Sequence, residues 1–153
     1  MIRFPAALIG QLLDDGERAY PNEACGLIVG RREPEGHFQV TGVERSDNLA
    51  AAPARRFEID TRLHLTLQRL ARARGEAVIG LYHSHPDGLA RPSATDLAEA
   101  WEEGLVWVVF AVAGGRSGPV TAHRLVEAGV RFEEIPLRTA PGPVRSGISG
   151  GKT

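Results

Sequence analysis

An α/β fold, one mixed sheet with helices packed on it, follows from three features of the 153-residue chain. Apolar runs at strand spacing are interleaved with amphipathic stretches at helical spacing, rather than segregated into halves. One run, Leu105–Ala113 (LVWVVFAVA), is apolar on both faces, as a strand in the middle of a covered sheet must be. With 42% hydrophobic residues, the length supports one full core but not two ordinary domains.

From Pro5 to Tyr20, the residues Leu8, Ile9, Leu12, Leu13 and Ala19 recur at helical spacing behind a proline suited to a first turn, although Gly16 weakens the middle. ACGLIVG (Ala24–Gly30) reads as a strand closed by the charged Arg31–Gly36 segment. HFQVTGVER (His37–Arg45) alternates after it, so an antiparallel pair is expected. Asp60 then occupies an N-cap position, Leu63, Leu67 and Leu70 form a stripe, and Gly75 supplies a stop, which together predict a helix. AVIGLYHSH (Ala77–His85) is the next strand. A loop and a helix over Ser93–Glu103 follow it, with Leu97, Ala100 and Trp101 on one side. Beyond Leu105–Ala113, VTAHRLV (Val120–Val126) and VRFEEIPL (Val130–Leu137) read as strands. The second is expected at an edge because Pro136 has no N–H for a ladder.

The organisation expected is one domain over residues 1–138 and a flexible Gly/Pro/Ser-rich tail over 139–153, where apolar content is too low to pack. The tail ends in Gly-Gly-Lys-Thr, but Ser146 stands where a phosphate loop needs glycine, which rejects a nucleotide-binding reading. Charge is balanced, with 18 Lys+Arg against 19 Asp+Glu, so nothing calls for nucleic acid or an anionic membrane as partner. No apolar run approaches the roughly 20 residues of a membrane span. The single cysteine, Cys25, allows no internal disulfide, and Met1–Gly10 lacks the pattern of a signal peptide, so the cytoplasm is expected.

The chemistry is concentrated in Val78–Asp96, VIGLYHSHPDGLARPSATD. Residues two apart on a strand share a face, so His83 and His85 project together, and Pro86 ends the ladder and releases the chain into a loop short enough to return Asp96. Three N/O ligands would leave a fourth tetrahedral position for water, and imidazole with carboxylate suits zinc. Ser93-x-x-Asp96 is also a capping-box pattern, and the two readings are compatible, since an aspartate in a first helical turn can face a metal. Glu23, at the entrance of the second predicted element, is the candidate carboxylate base. Cys25 reads as a small packed residue, His64 and His123 as structural or exposed, and Trp101 and Trp107 as core.

Glu-Ala-Cys-Gly upstream (Glu23–Gly26) with His-Ser-His-Pro and Ser-x-x-Asp downstream resembles the JAMM, or MPN-plus, metalloproteases, over roughly Ile2 to Pro136. The resemblance implies a cytidine-deaminase-like sandwich, a mixed curved sheet flanked by helices, of the compact prokaryotic stand-alone type. It implies that His83, His85 and Asp96 ligate Zn2+, that Glu23 activates a zinc-bound water, and that Ser93 steadies the oxyanion. The implied reaction is hydrolysis of a peptide or isopeptide bond after the C-terminal Gly-Gly of a ubiquitin-like or sulfur-carrier protein, with room left for a homodimer. The rival is a non-catalytic MPN-type interaction scaffold, a class without the His-x-His and Asp set that this chain retains. A zinc deaminase would need a Pro-Cys-x-x-Cys ligand pair that one cysteine cannot supply.

Overall fold

A computed structural model of the chain describes residues 1–100, 102, 104–127 and 130–140. Its framework is an eight-stranded mixed sheet. The strands are β1 (Ile2–Pro5), β2 (Cys25–Glu33), β3 (His37–Ser46), β4 (Ala77–Pro86), β5 (Val106–Ala113), β6 (Arg116–Glu127), β7 (Arg131–Ile135) and β8 (Leu137–Ala140), and the helices are α1 (Ala6–Ala19), α2 (Thr61–Ala73) and α3 (Ala94–Glu99). Across the sheet the order is β7-β6-β5-β4-β2-β3-β1-β8. β4 lies in the centre, antiparallel to β2 and parallel to β5.

The two outermost strands, β7 and β8, are joined only by Pro136. Residues two apart in a chain are held within about 7 Å, so the edges of the sheet must meet, and the sheet curls nearly into a barrel. Pro136 thus divides the expected Val130–Leu137 strand into two pieces on opposite edges. Its carbonyl accepts from Ile2 N at 2.9 Å, at the start of the short strand β1, which hydrophobic patterning did not predict.

The two faces of β4 serve different purposes. Ile79 and Tyr82 face α1, joining Leu8, Leu12, Ile28, Val106, Val108 and Phe110 in the main core. Gly16, which sequence reading treats as a weakness in α1, has a packing reason: a Cβ there would fall 2.3 Å from the Phe110 ring. Tyr82 Oη donates to the buried Asp15 of α1 at 2.8 Å, and Asp15 is also bound by Arg18. On the opposite face, Val78 and Leu81 pack with Leu67 and Ala71 of α2, whose cap is Asp60 as expected. His83 and Trp107 continue that face toward the strand end.

α3 is shorter than expected. It stops at Glu99 because Ala100, which is buried against Trp107 and Leu125, takes an extended conformation that turns the chain toward β5. Trp101 lies outside the described residues, as do residues 141–153 of the expected tail, whereas Thr139 and Ala140 belong to β8. No helix among the described residues is long and apolar enough to cross a membrane.

Candidate active site

The parallel ladder of β4 on β5 carries His83, Ser84 and His85 to the end of the central strand, where Pro86 closes it. His83 and His85 project to the same face, with ring centroids 4.7 Å apart. The loop then returns the chain to α3, in which Ser93 and Asp96 form a full capping box: Ser93 Oγ accepts from Asp96 N at 3.0 Å, and Asp96 Oδ2 accepts from Ser93 N at 2.8 Å. The cap fixes the aspartate so that the same Oδ2 stands 3.0 Å from both His83 Nε2 and His85 Nε2, which are themselves 3.0 Å apart.

This triangle can be tested for its fit to a cation. His85 Nδ1 lies 2.8 Å from the Leu89 carbonyl, which only accepts, so Nδ1 carries the proton and the neutral ring turns its Nε2 lone pair toward Asp96. A lone pair and a carboxylate oxygen facing each other at 3.0 Å repel unless positive charge lies between them. A proton relieves one pair at a time, whereas a divalent cation satisfies all three atoms together. Tetrahedral donors around zinc stand about 3.3 Å apart, close to the spacing here. The donor set therefore fits a metal ion.

Glu23 is 5% exposed, and its Oε1 is buried with no hydrogen-bond partner among the described residues. Glu23, His83 and His85 also place ligand-type atoms within 4.8 Å of one another. Two overlapping sets thus share the histidines, and we assign Asp96 rather than Glu23 to the triangle because its oxygen touches both rings at 3.0 Å. Burial pushes the Glu23 carboxyl up to about 7, partly opposed by His85. That range suits a group that must accept and return a proton near neutrality. Burial also acts to raise Asp96, but its contacts with His83, His85 and the Ser93 N–H outweigh it and hold the carboxyl well below the usual range. Burial lowers His83, while in His85 the contacts to Asp96 and Leu89 overcome burial and raise it.

Cys25 is fully buried, and desolvation pushes its thiol up to about 12, so it is a packed residue and offers no thiolate. His123 is buried against Thr121 Oγ1 at 2.8 Å, and His64 sits on α2 beside Gln68; among the described residues neither makes a hydrogen bond to the triangle. Trp107 is core as expected, yet its ring edge also meets His83 at 5.6 Å.

Several supporting residues escape sequence reading. Phe57 stacks on the His83 ring at 4.3 Å. Ser84 Oγ accepts from Ala24 N at 2.8 Å and Ser84 N donates to Ala24 O at 3.0 Å, which fastens the strand end to the residue after Glu23. Asn48 donates to the carbonyls of Glu23 at 3.1 Å and Arg56 at 2.9 Å, and its Oδ1 accepts from Ala50 N and Glu58 N, both at 3.0 Å. An asparagine inside a polar loop announces none of this, since its partners are backbone groups. Replacing Asn48 with alanine is expected to lower stability by about 2–3 kcal/mol in a denaturant titration. It is also expected to reduce kcat about tenfold or more with a smaller change in KM, because the loop that positions Glu23 loosens.

Outside the triangle the site opens into a groove of about 570 Å³. Its lining includes Glu23, Arg55, His85, Leu89, Arg91 and Ser93. The Ser93 oxygen is engaged as an acceptor, which leaves its exposed O–H free to donate into the groove.

A nearly closed α/β sheet that gathers two imidazoles, an aspartate and a buried glutamate at its central strand end has the makings of a hydrolytic metal centre. Comparison of the sequence with family profiles sharpens that class. The chain belongs to the Prok-JAB family, the prokaryotic homologs of the JAB domain, whose profile matches residues 5–126. The resemblance to the JAMM/MPN-plus proteins is thereby borne out. The CysO-cysteine peptidase of Mycobacterium tuberculosis is 27% identical over 133 residues, covering 85% of this chain and 86% of the relative. The desampylase of Haloferax volcanii is 30% identical over 115 residues, covering 75% and 76%. Among solved structures, a protein from Desulfitobacterium hafniense superposes with a TM-score of 0.81 at 28% identity, covering 94% of this chain and 95% of that one. The protein is accordingly a hydrolase of the JAMM type.

Proposed function

We propose that this chain is a zinc-dependent peptidase that cleaves the bond after the C-terminal Gly-Gly of a ubiquitin-like or sulfur-carrier protein. The observation that carries the reading is the mutual 3.0 Å triangle of His83, His85 and Asp96 beside a buried, unpartnered Glu23. Relatives named for the removal of cysteine from CysO and for desampylation support the substrate class.

His83, His85 and Asp96 would hold the ion. Zinc, when bound, supplies Lewis acidity that lowers the pKa of water toward about 7 and polarises a carbonyl. Glu23 accepts the proton of the attacking water on Oε1 and returns it to the departing amine, for which a carboxyl near neutrality is suited in both directions. Ser93 donates its free O–H to the carbonyl oxygen as charge builds there. The apolar shell of Phe57 and Trp107 holds the His83 ring and keeps water from its back, which strengthens every charge interaction in front. Two glycines before the scissile bond let the substrate backbone approach this wall, since neither carries a side chain to clash.

The test is incubation of the zinc-loaded protein with Gly-Gly carriers extended by an amino acid or linked to lysine, followed by intact mass. Cleavage after Gly-Gly is expected, with loss on chelation and recovery on adding zinc. A metal-loaded protein that binds such carriers and leaves them whole would instead be the non-catalytic scaffold.

A further inference from the structure

Two arginines line the groove at Glu23, and the chemistry described so far uses neither. Arg55 and Arg91 both line it, together with Glu23, His85 and Ser93. Among the described residues neither side chain makes an ion pair or hydrogen bond, whereas the neighbouring Arg56 is paired with Glu99. The charged lining is thus two arginines against a single carboxylate, Glu23.

The placement of Arg55 is set by backbone. Its amide donates to Ala52 O at 3.0 Å, closing a turn whose Pro53 carbonyl accepts from Glu23 N at 2.8 Å. Asn48 ties the same turn through Arg56 O at 2.9 Å. Arg55 therefore rides on chain pinned to Glu23, the residue that returns the proton to the departing amine. Guanidinium groups bind carboxylates by paired, charge-assisted hydrogen bonds, and two of them lining one groove with no partner of their own among the described residues suit a small anion. A departing amine carries a carboxylate on its own α-carbon only when the leaving group is a single C-terminal amino acid. A lysine ε-amine has no anion within reach, and a longer peptide extension presents an amide there.

Resting on the hydrolase reading above, we propose that Arg55 and Arg91 form a receptor for the α-carboxylate of a one-residue leaving group. The preferred substrate is then a Gly-Gly carrier extended by a single amino acid, ahead of a lysine-linked conjugate.

Three versions of one ubiquitin-like carrier test this: Gly-Gly followed by alanine as the free acid, the same with a C-terminal carboxamide, and Gly-Gly joined to a lysine ε-amine. The wild-type protein is expected to favour the free acid over the carboxamide by about tenfold in kcat/KM, the worth of one charge-assisted hydrogen bond. Arg55→Ala and Arg91→Ala should each erase most of that preference through KM, leave carboxamide cleavage within about twofold, and leave the melting temperature unchanged, as fits exposed side chains. Equal wild-type rates on free acid and carboxamide overturn the receptor while leaving the hydrolase reading intact. Equal losses on both substrates in the variants also overturn it, because the arginines would then grip the carrier. Failure of the zinc-loaded protein to cleave all three overturns the hydrolase reading and the receptor with it.

Discussion

Glu23→Gln is expected to lower kcat by about 10²–10⁴-fold while the protein keeps its metal. The amide has the same shape and sits in the same buried position, but it cannot take a proton from water or pass one to an amine. Glu23 Oε1 has no partner among the described residues, so its replacement breaks no hydrogen bond seen there, and the melting temperature should hold or rise. The metal measurement separates two roles. If Glu23 were a ligand in place of Asp96, the glutamine variant would lose zinc along with activity. Full zinc occupancy with activity within threefold of wild type would remove Glu23 from the chemistry altogether.

His83→Ala should abolish metal binding and activity together. One ligand of three disappears, so zinc content measured by elemental analysis should fall from about one per chain to near zero. A ligand that binds only the native state stabilises it by about 4 kcal/mol at a thousandfold excess over Kd, so zinc should raise the melting temperature of the wild type by about 10 °C and leave the variant unmoved. Because His83 is fully buried between Phe57 and Trp107, alanine also opens a cavity and could weaken the fold itself. Asp96→Asn guards against that ambiguity. It keeps the side-chain volume and the capping acceptor but removes the charge that would hold the cation under this assignment. A folded Asp96→Asn protein that still binds one zinc tightly would undo the ligand assignment.

Much of the architecture is written in local patterns. The stripe of α2 with Asp60 at its cap, the doubly apolar β5 and the alternation of β3 each obey a rule that operates within one element, and each stands where those rules put it. The misses have identifiable physical causes. β1 is four residues long, too short for any period to emerge. The end of α3 was overrun because Ala100 and its neighbours are helix-compatible in isolation, and tertiary packing against Trp107 and Leu125 turns the chain instead. Pro136 marked an edge correctly, but it marks two edges, because closure of the sheet is a property of all eight strands and of no single one.

The candidate site divides in the same way. That His83 and His85 share a face follows from the two-residue period of a strand, and that Ser93 orients Asp96 follows from helix capping; both rules act within a few residues of the chain. The approach of Glu23 depends on β2 pairing with β4, on Ser84 fastening Ala24 and on Asn48 gathering a loop from Pro53 to Glu58, contacts between groups 10 to 60 residues apart. No local pattern encodes such contacts, because hydrogen bonds to backbone carbonyls and amides place no demand on the identity of the residue that supplies them. The shift of the Glu23 carboxyl to about 7 has the same origin: burial causes it, and burial is decided by what the folded chain packs around the group.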